Sequence, residues 1–332
     1  MSITRWGILG CGRIAKKFAN DLKYVDGAEL TALASRAEET AAKFAEEYPA
    51  RHIHGSYEAL VNNDEVDAIY VATPHAMHHE HSILCLNHGK AVLCEKAFAM
   101  NSRQVREMIE ASKKNKTFLM EAFWTKFVPH YKASMQMINN GVLGNIKSMQ
   151  VNFGFITDAQ SPERLNKPEL GGGTLMDIGI YNVFMALSVL GKPDEIEARM
   201  TPNAFGVDAQ MAITFHYNNG AVAQLLSSFL TNLPTNADIN GDAGRIRLSS
   251  RFYEPISTTI EYYPDRADNR QTVEFDKEPG WGYQHQIRHV QECLQKGLKE
   301  SPVMSLADSL LLMETLDAIR AKSGLRYAVD DE

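Results

Sequence analysis

From Arg5 to Glu121 the chain alternates short runs that are apolar throughout with helical patterns. Arg5 to Leu9, Glu29 to Ala34, Ala68 to Ala72, Ala91 to Cys94 and Phe118 to Glu121 have strand length. Helical stretches fall between them near Arg13 to Leu22, Ala37 to Glu47, Met77 to Asn87 and Ser102 to Asn115. A strand apolar on both sides has to be covered on both faces, and the intervening helices supply the cover. A doubly wound parallel sheet is therefore predicted.

After Phe123 the pattern changes. Ile146 to Phe155, Glu195 to Met200, Gln210 to Tyr217, Ala221 to Leu230, Arg245 to Leu248, Thr258 to Tyr263 and Thr272 to Phe275 read as strands with few helices between them. Asn218-Asn219-Gly220 separates two alternating runs and predicts a hairpin, because its turn positions favour φ > 0. Successive hairpins make an antiparallel sheet, completed by helices near Tyr283 to Lys296 and Leu306 to Ser323. Leu306, Leu310, Met313, Leu316 and Ile319 form an apolar stripe on the last helix and mark a core face. At 332 residues the chain exceeds one ordinary core, so two domains are expected.

Composition removes several function classes. A formal net charge of -7 offers no basic field for polyanions, so nucleic acid is excluded as a main partner. Cys11, Cys85, Cys94 and Cys293 are scattered without paired spacing, which fits reduced thiols and no structural zinc. The first residues run straight into a strand with no basic-then-apolar leader. No stretch reaches about 18 uninterrupted apolar residues, so no membrane span is predicted and a cytoplasmic location is expected.

Gly10-Cys11-Gly12-Arg13-Ile14-Ala15 follows the first strand and opens the first helix. Gly10 permits the tight turn, Gly12 lets backbone approach a pyrophosphate, and Ala15 allows close packing, while the helix start supplies free N–H groups. At the end of the second strand an acidic residue would bond a ribose 2′-hydroxyl, whereas arginine accommodates a 2′-phosphate. Ser35-Arg36 stands there, with Arg13 able to approach, which favours NADP over NAD; the alternative is that both arginines are solvated surface charges.

Thr73-Pro74 ends a buried strand and is followed by His75, His78, His79 and His81. The cluster lacks a carboxylate set, so no metal is expected; a contact from this strand end to the cofactor is, with the outer histidines solvated. Glu95-Lys96 ends another apolar strand. Open α/β sheets bind ligands at the carboxyl ends of their strands, which places Lys96 for proton transfer beside the nicotinamide, unless the pair is an exposed strand-end ion pair. Gly171-Gly172-Gly173 opens an apolar helix carrying Asp177 and Tyr181 at i and i+4, hence on one face. A buried carboxylate has to be paired or used; the alternative is that Asp177 complements the helix dipole and Tyr181 is core.

Together these residues resemble the glucose-fructose oxidoreductase / inositol 2-dehydrogenase (Gfo/Idh/MocA) family over the whole chain. The marks are Gly-Cys-Gly-Arg-Ile-Ala at 10 to 15, Ala-Thr-Pro followed by His78, Glu95-Lys96, and Pro168-Glu169-Leu170-Gly171-Gly172-Gly173 running into Asp177. Asp-Ile-Gly-Ile-Tyr at 177 to 181 looks most like the dimeric dihydrodiol dehydrogenase and NADP-dependent xylose dehydrogenase branch. One departure is Ala97, where the family has Pro.

The resemblance implies an α/β chain with an N-terminal Rossmann domain, residues 1–122, and a C-terminal α+β domain, residues 123–332, with a large, mostly antiparallel open sheet for substrate and dimerisation. It implies Lys96 and Tyr181 as the proton-transferring and substrate-polarising pair and Asp177 as substrate-positioning. Gly10, Gly12, Arg13, Ile14, Ser35, Arg36, Thr73, Pro74, His78, Glu95 and Lys96 are the expected cofactor residues. Trp124, Phe127, Trp281 and Tyr283 are candidate pocket walls or core, and Arg164 a wall or a solvated charge. The expected activity is hydride transfer between NADP and a secondary alcohol or carbonyl of a sugar, polyol or dihydrodiol, in a homodimer or dimer-based oligomer; the alternatives are an NADP-binding regulator without turnover and a NAD-dependent inositol or sugar dehydrogenase.

Overall fold

The computed structural model describes residues 3–158, 161–249, 251–254, 259–264, 270–276 and 278–331. Internal contacts divide the chain into two units, Met1–Lys126 with Glu278–Leu310, and Phe127–Lys277 with Leu311–Glu332.

In the first unit β1 (Thr4–Leu9), β2 (Ala28–Ala34), β3 (His52–His54), β4 (Ala68–Val71), β5 (Ala91–Glu95) and β6 (Leu119–Ala122) form a parallel sheet ordered β3-β2-β1-β4-β5-β6. The order reverses between β1 and β4, the switch point where such sheets bind ligands. The helices are α1 (Arg13–Leu22), α2 (Glu38–Glu47), α3 (Tyr57–Val61), α4 (His78–Asn87) and α5 (Ser102–Asn115). α1 buries Ala15, Phe18, Ala19 and Leu22, the i, i+3, i+4, i+7 face of a helix. Phe18 stacks on Tyr70 of β4 at 3.9 Å, so one aromatic pair sets α1 against the sheet centre. Full burial of side chains this large stabilises by about 1.5–3 kcal/mol each.

The edge strand β3 carries no apolar run: His-Ile-His is half exposed, and its strand state comes from pairing with β2 rather than from local pattern. The other edge, β6, is capped by the returning chain, where Leu119 N–H donates to Lys299 O at 3.1 Å. Asp21 of α1 accepts from the N–H groups of Trp281 (2.8 Å) and Tyr283 (2.9 Å), tying that return to the sheet's helices.

The second unit begins with α6 (Pro129–Asn139) and contains β7 (Ile146–Gly154), α7 (Ile180–Leu190), β8 (Glu195–Pro202), β9 (Asp208–His216), β10 (Val222–Ser228), β11 (Ala237–Gly241), β12 (Arg245–Leu248), β13 (Thr259–Tyr263) and β14 (Gln271–Glu274). Thr258, expected at the start of a strand, lies outside the described residues. The strands are ordered β14-β13-β12-β11-β7-β10-β9-β8. The predicted hairpin at Asn218-Asn219-Gly220 joins β9 to β10, with Gly220 at φ +81°. Successive hairpins do not build the whole sheet: β7 lies centrally and pairs parallel with β10, because α7 and two strands intervene in the chain and form a crossover.

α8 (Tyr283–Gln295) belongs to the first unit, while α9 (Leu306–Ser323) contributes residues to both. Leu306, Met313, Leu316 and Ile319 of the α9 stripe are buried. The run Pro168–Leu190 has the length and hydropathy to cross a membrane, and 78% of its most apolar window is buried inside the protein. Its apolar surface is thereby spent on a core.

Candidate active site

β1 ends in a glycine loop built for a close ligand. Gly10 has φ +100°, and a Cβ there would meet the Thr73 side chain at 2.9 Å and Ala72 backbone at 3.1 Å. Above Gly12 nothing lies within 4 Å. Gly12 is also the N-cap of α1, and neither a side-chain cap nor an acidic residue in the first turn satisfies that helix start. Open space over unpaired N–H groups fits a pyrophosphate. Arg13 is exposed and Ile14 half-buried beside it, and Ser35 and the exposed Arg36 follow β2, whose neighbour in the sheet is β1.

Thr73 and Pro74 leave β4 and are half-buried. His78 is fully buried, with Nδ1 2.7 Å from Ala97 O and Nε2 2.8 Å from Thr73 O. Its ring braces the loop after β4 against the loop after β5. Burial pushes its pKa down to about 4, against the pull of the two carbonyls, so near neutral pH the ring is uncharged and donates to one carbonyl at a time. The expectation of solvated outer histidines is corrected: His75 and His81 are buried, and half-buried His79 pairs with Glu107 at 2.7 Å. They cover the sheet end because α4 starts only at His78, after a 3-10 turn at His75–Met77. Among the described residues no group of three or more His, Cys, Asp or Glu is arranged to hold a metal.

Glu95 closes β5 and is buried; Tyr70 donates its hydroxyl to Oε1, and Lys96 N–H donates to Oε2 at 3.3 Å. Lys96 is half-buried at the strand end, and the Lys96–Ala97 peptide bond is cis. Glu121, one strand over on β6, is a further buried carboxyl. Its Oε1 accepts from Phe98 N–H at 3.1 Å. Burial pushes its pKa up to about 8, against the hydrogen bonds of Ser309 and the Phe98 N–H. The signal for Glu121 was the same as for Glu95, a charge ending an apolar strand.

In the second unit Pro168–Leu170 forms a 3-10 turn and Leu175–Gly179 a π-helical turn before α7. Asp177 therefore sits in a widened turn, and the simple α-helical i to i+4 alignment with Tyr181 does not hold. Asp177 pairs with Arg164 at 2.8 Å, which corrects the reading of Arg164 as a solvated charge. Tyr181, buried, packs against Tyr253 at 4.8 Å and Phe153 at 6.0 Å. Asp208 of β9, unremarked in the sequence, holds the start of this helix: its Oδ2 accepts from Thr174 hydroxyl (2.6 Å) and Leu175 N–H (2.7 Å). Burial lifts its pKa to about 6 against those bonds. Its other oxygen lies where a Cβ on Gly173 would fall, 2.1 Å away, so glycine is required there.

The candidate walls divide. Trp124 and Tyr283 stack at 4.8 Å and are buried in the first unit. Trp281 is exposed, with Lys17 Nζ 4.6 Å from its ring centre. Phe127 is buried in the second unit.

A glycine loop, an arginine and a lysine presented at the carboxyl ends of β1, β2 and β5 of a doubly wound sheet define a dinucleotide-binding oxidoreductase. The chain belongs to the Gfo/Idh/MocA family: residues 4–123 match its oxidoreductase domain with the NAD-binding Rossmann fold, and residues 131–247 its C-terminal domain. It is 37% identical to trans-1,2-dihydrobenzene-1,2-diol dehydrogenase of Xenopus laevis over 98% of this chain and 99% of that one. The Mus musculus enzyme of the same name is 33% identical over 98% of each. Among solved structures, the 3-ketoreductase KijD10 from Actinomadura kijaniata, in complex with NADP and TDP-benzene, has a TM-score of 0.86 at 25% identity, covering 97% of this chain and 98% of that one. Aldose-aldose oxidoreductase from Caulobacter crescentus shares the fold at 23% identity and a TM-score of 0.86, with the same coverage.

Proposed function

We propose that this oxidoreductase uses NADP to interconvert a secondary alcohol and a carbonyl on a sugar, polyol or arene dihydrodiol. The observation that carries it is the convergence of four strand ends on one edge of the sheet, presenting Gly10 and Gly12, Arg36, Thr73 and Lys96. Relatives named as dihydrodiol dehydrogenases, and a ketoreductase in complex with NADP, support both the cofactor and the substrate class.

When bound, the nicotinamide accepts or supplies the hydride. Gly10, Gly12, Arg13 and Ile14 hold the pyrophosphate at the start of α1, and Ser35 and Arg36 hold the 2′-phosphate. Thr73 and Pro74 line the strand end, and His78 holds Thr73 and the Ala97 turn in place. Glu95 anchors the lysine's own backbone. Lys96 and Tyr181 move the hydroxyl proton, and Asp177, steadied by Arg164, positions the substrate. Residues 1–122, with 278–310 completing their unit, serve the cofactor, and the rest of 123–332 serves the substrate and a homodimer contact through the open face of the eight-stranded sheet, in a cytoplasmic enzyme.

The test is an absorbance screen at nicotinamide wavelengths with pentoses, hexoses, inositols and arene dihydrodiols, each with NADP and NAD. Turnover of at least one such alcohol with NADP preferred is expected. NADPH binding without turnover of any of them would make the protein a cofactor-binding regulator and sink the reading.

A further inference from the structure

The cofactor residues read from the sequence account for the phosphates and the nicotinamide end, and leave the adenine unassigned. Tyr57 is the first residue of α3, the short element that follows the edge strand β3. Its half-buried ring meets the His81 ring edge-on, with centroids 4.6 Å apart at 70°. His81 is held in turn: its Nδ1 lies 3.0 Å from the Thr73 hydroxyl, and the Thr73 methyl fills the space left by the missing Cβ of Gly10. A continuous line of contact thus runs from the glycine loop to the Tyr57 ring.

Burial raises the Tyr57 pKa and lowers that of His81, and the Arg36 charge favours the ionised phenol and the neutral imidazole. On the dinucleotide reading the loop takes the pyrophosphate, and the contacts through Thr73 and His81 lead from that loop to the Tyr57 ring.

We propose that Tyr57, braced edge-on by His81, is the platform on which the adenine ring of the dinucleotide stacks. This rests on the dinucleotide reading and deepens it. A stacked base is common to NAD and NADP, so Tyr57 contributes affinity without choosing between them, whereas Arg36 does the choosing.

Affinities for NADPH and NADH are measured by nicotinamide fluorescence on the full chain. Tyr57→Leu is expected to weaken both by a similar factor, roughly tenfold, the scale of one base on an aromatic ring. Tyr57→Phe, which keeps the ring, leaves both close to the unsubstituted values. A second measurement does not depend on how the leucine variant folds. In protein with deuterated aromatic rings except tyrosine, bound ADP should show transferred NOEs from its adenine protons to a tyrosine ring, absent in Tyr57→Phe. NOEs that survive in Tyr57→Phe, affinities unchanged in Tyr57→Leu, or a loss confined to NADPH would each overturn the assignment. Failure of the unsubstituted protein to bind either dinucleotide overturns the cofactor reading itself, before any variant is made.

Discussion

Arg36 is exposed beside the end of β2, and only NADP offers it a 2′-phosphate. Arg36→Ala should therefore cost NADP a charge-assisted hydrogen bond, about 1.5–3 kcal/mol, and leave NAD nearly untouched. Isothermal titration with both cofactors checks this, and an equal loss for both counts against it. Lys96→Met and Tyr181→Phe should each lower kcat by about 10²–10⁴ with NADPH affinity held within a few-fold, if both act on the reacting group as proposed. The double variant should be little worse than the poorer single one, because groups that work as a unit are not additive. His78 tests a different property. Its pKa is lowered from 6.5 to about 4 in the fold, so the stability its neutral ring contributes is complete above pH 6.5 and is lost as the pH falls toward 4. The gap is worth about 3 kcal/mol. Urea unfolding at pH 7.5 and pH 4.5 should show a smaller acid loss in His78→Gln than in the parent protein. Glycines and strand-end charges were legible in the sequence because each local role demands one residue type. The partnership of Arg164 with Asp177 was not, since ion pairs between separate turns leave no periodic trace.

At the level of elements, the helix that carries Asp177 and Tyr181 begins in a π-helical turn anchored from outside by Asp208. Asp208→Ala leaves the Thr174 hydroxyl and the Leu175 N–H without their buried acceptor, at a cost of about 1–3 kcal/mol. Asp208→Asn keeps an acceptor oxygen and should lose less. Thermal unfolding and kcat on the same variants separate the two effects, and equal losses for Asn and Ala would show that the bonds are not what holds the turn. The strong helices α1 and α5 were readable almost to the residue, because their apolar spacing is self-sufficient. The edge strand β3, the short α3 and β11 were not, because Ala-Asp-Ile-Asn-Gly and His-Ile-His owe their conformation to pairing with neighbours. The centrality of β7 also lay beyond local pattern, since a parallel partner far along the chain is a matter of topology.

For the molecule as a whole, one face of the eight-stranded sheet packs beneath α7, and the other presents two cross-strand rows. One is Gln150, Gln224, Thr214 and Glu197; the other is Asn152, Leu226, Ala212 and Arg199. If this is the dimer contact, Leu226→Asp should convert a dimer to a monomer in sedimentation equilibrium while the purified protein keeps its NADPH affinity; a monomeric parent protein sinks the reading. The division of the chain has its own consequence. The first unit is completed by Glu278–Leu310, which arrives only after an intervening stretch of 151 residues, 277 minus 126. Until then Asp21 lacks the Trp281 and Tyr283 amides, and β6 lacks its single bridge to Lys299–Glu300. On the ribosome, the first unit can be completed only once nearly the whole message has been read, because its last segment runs to Leu310.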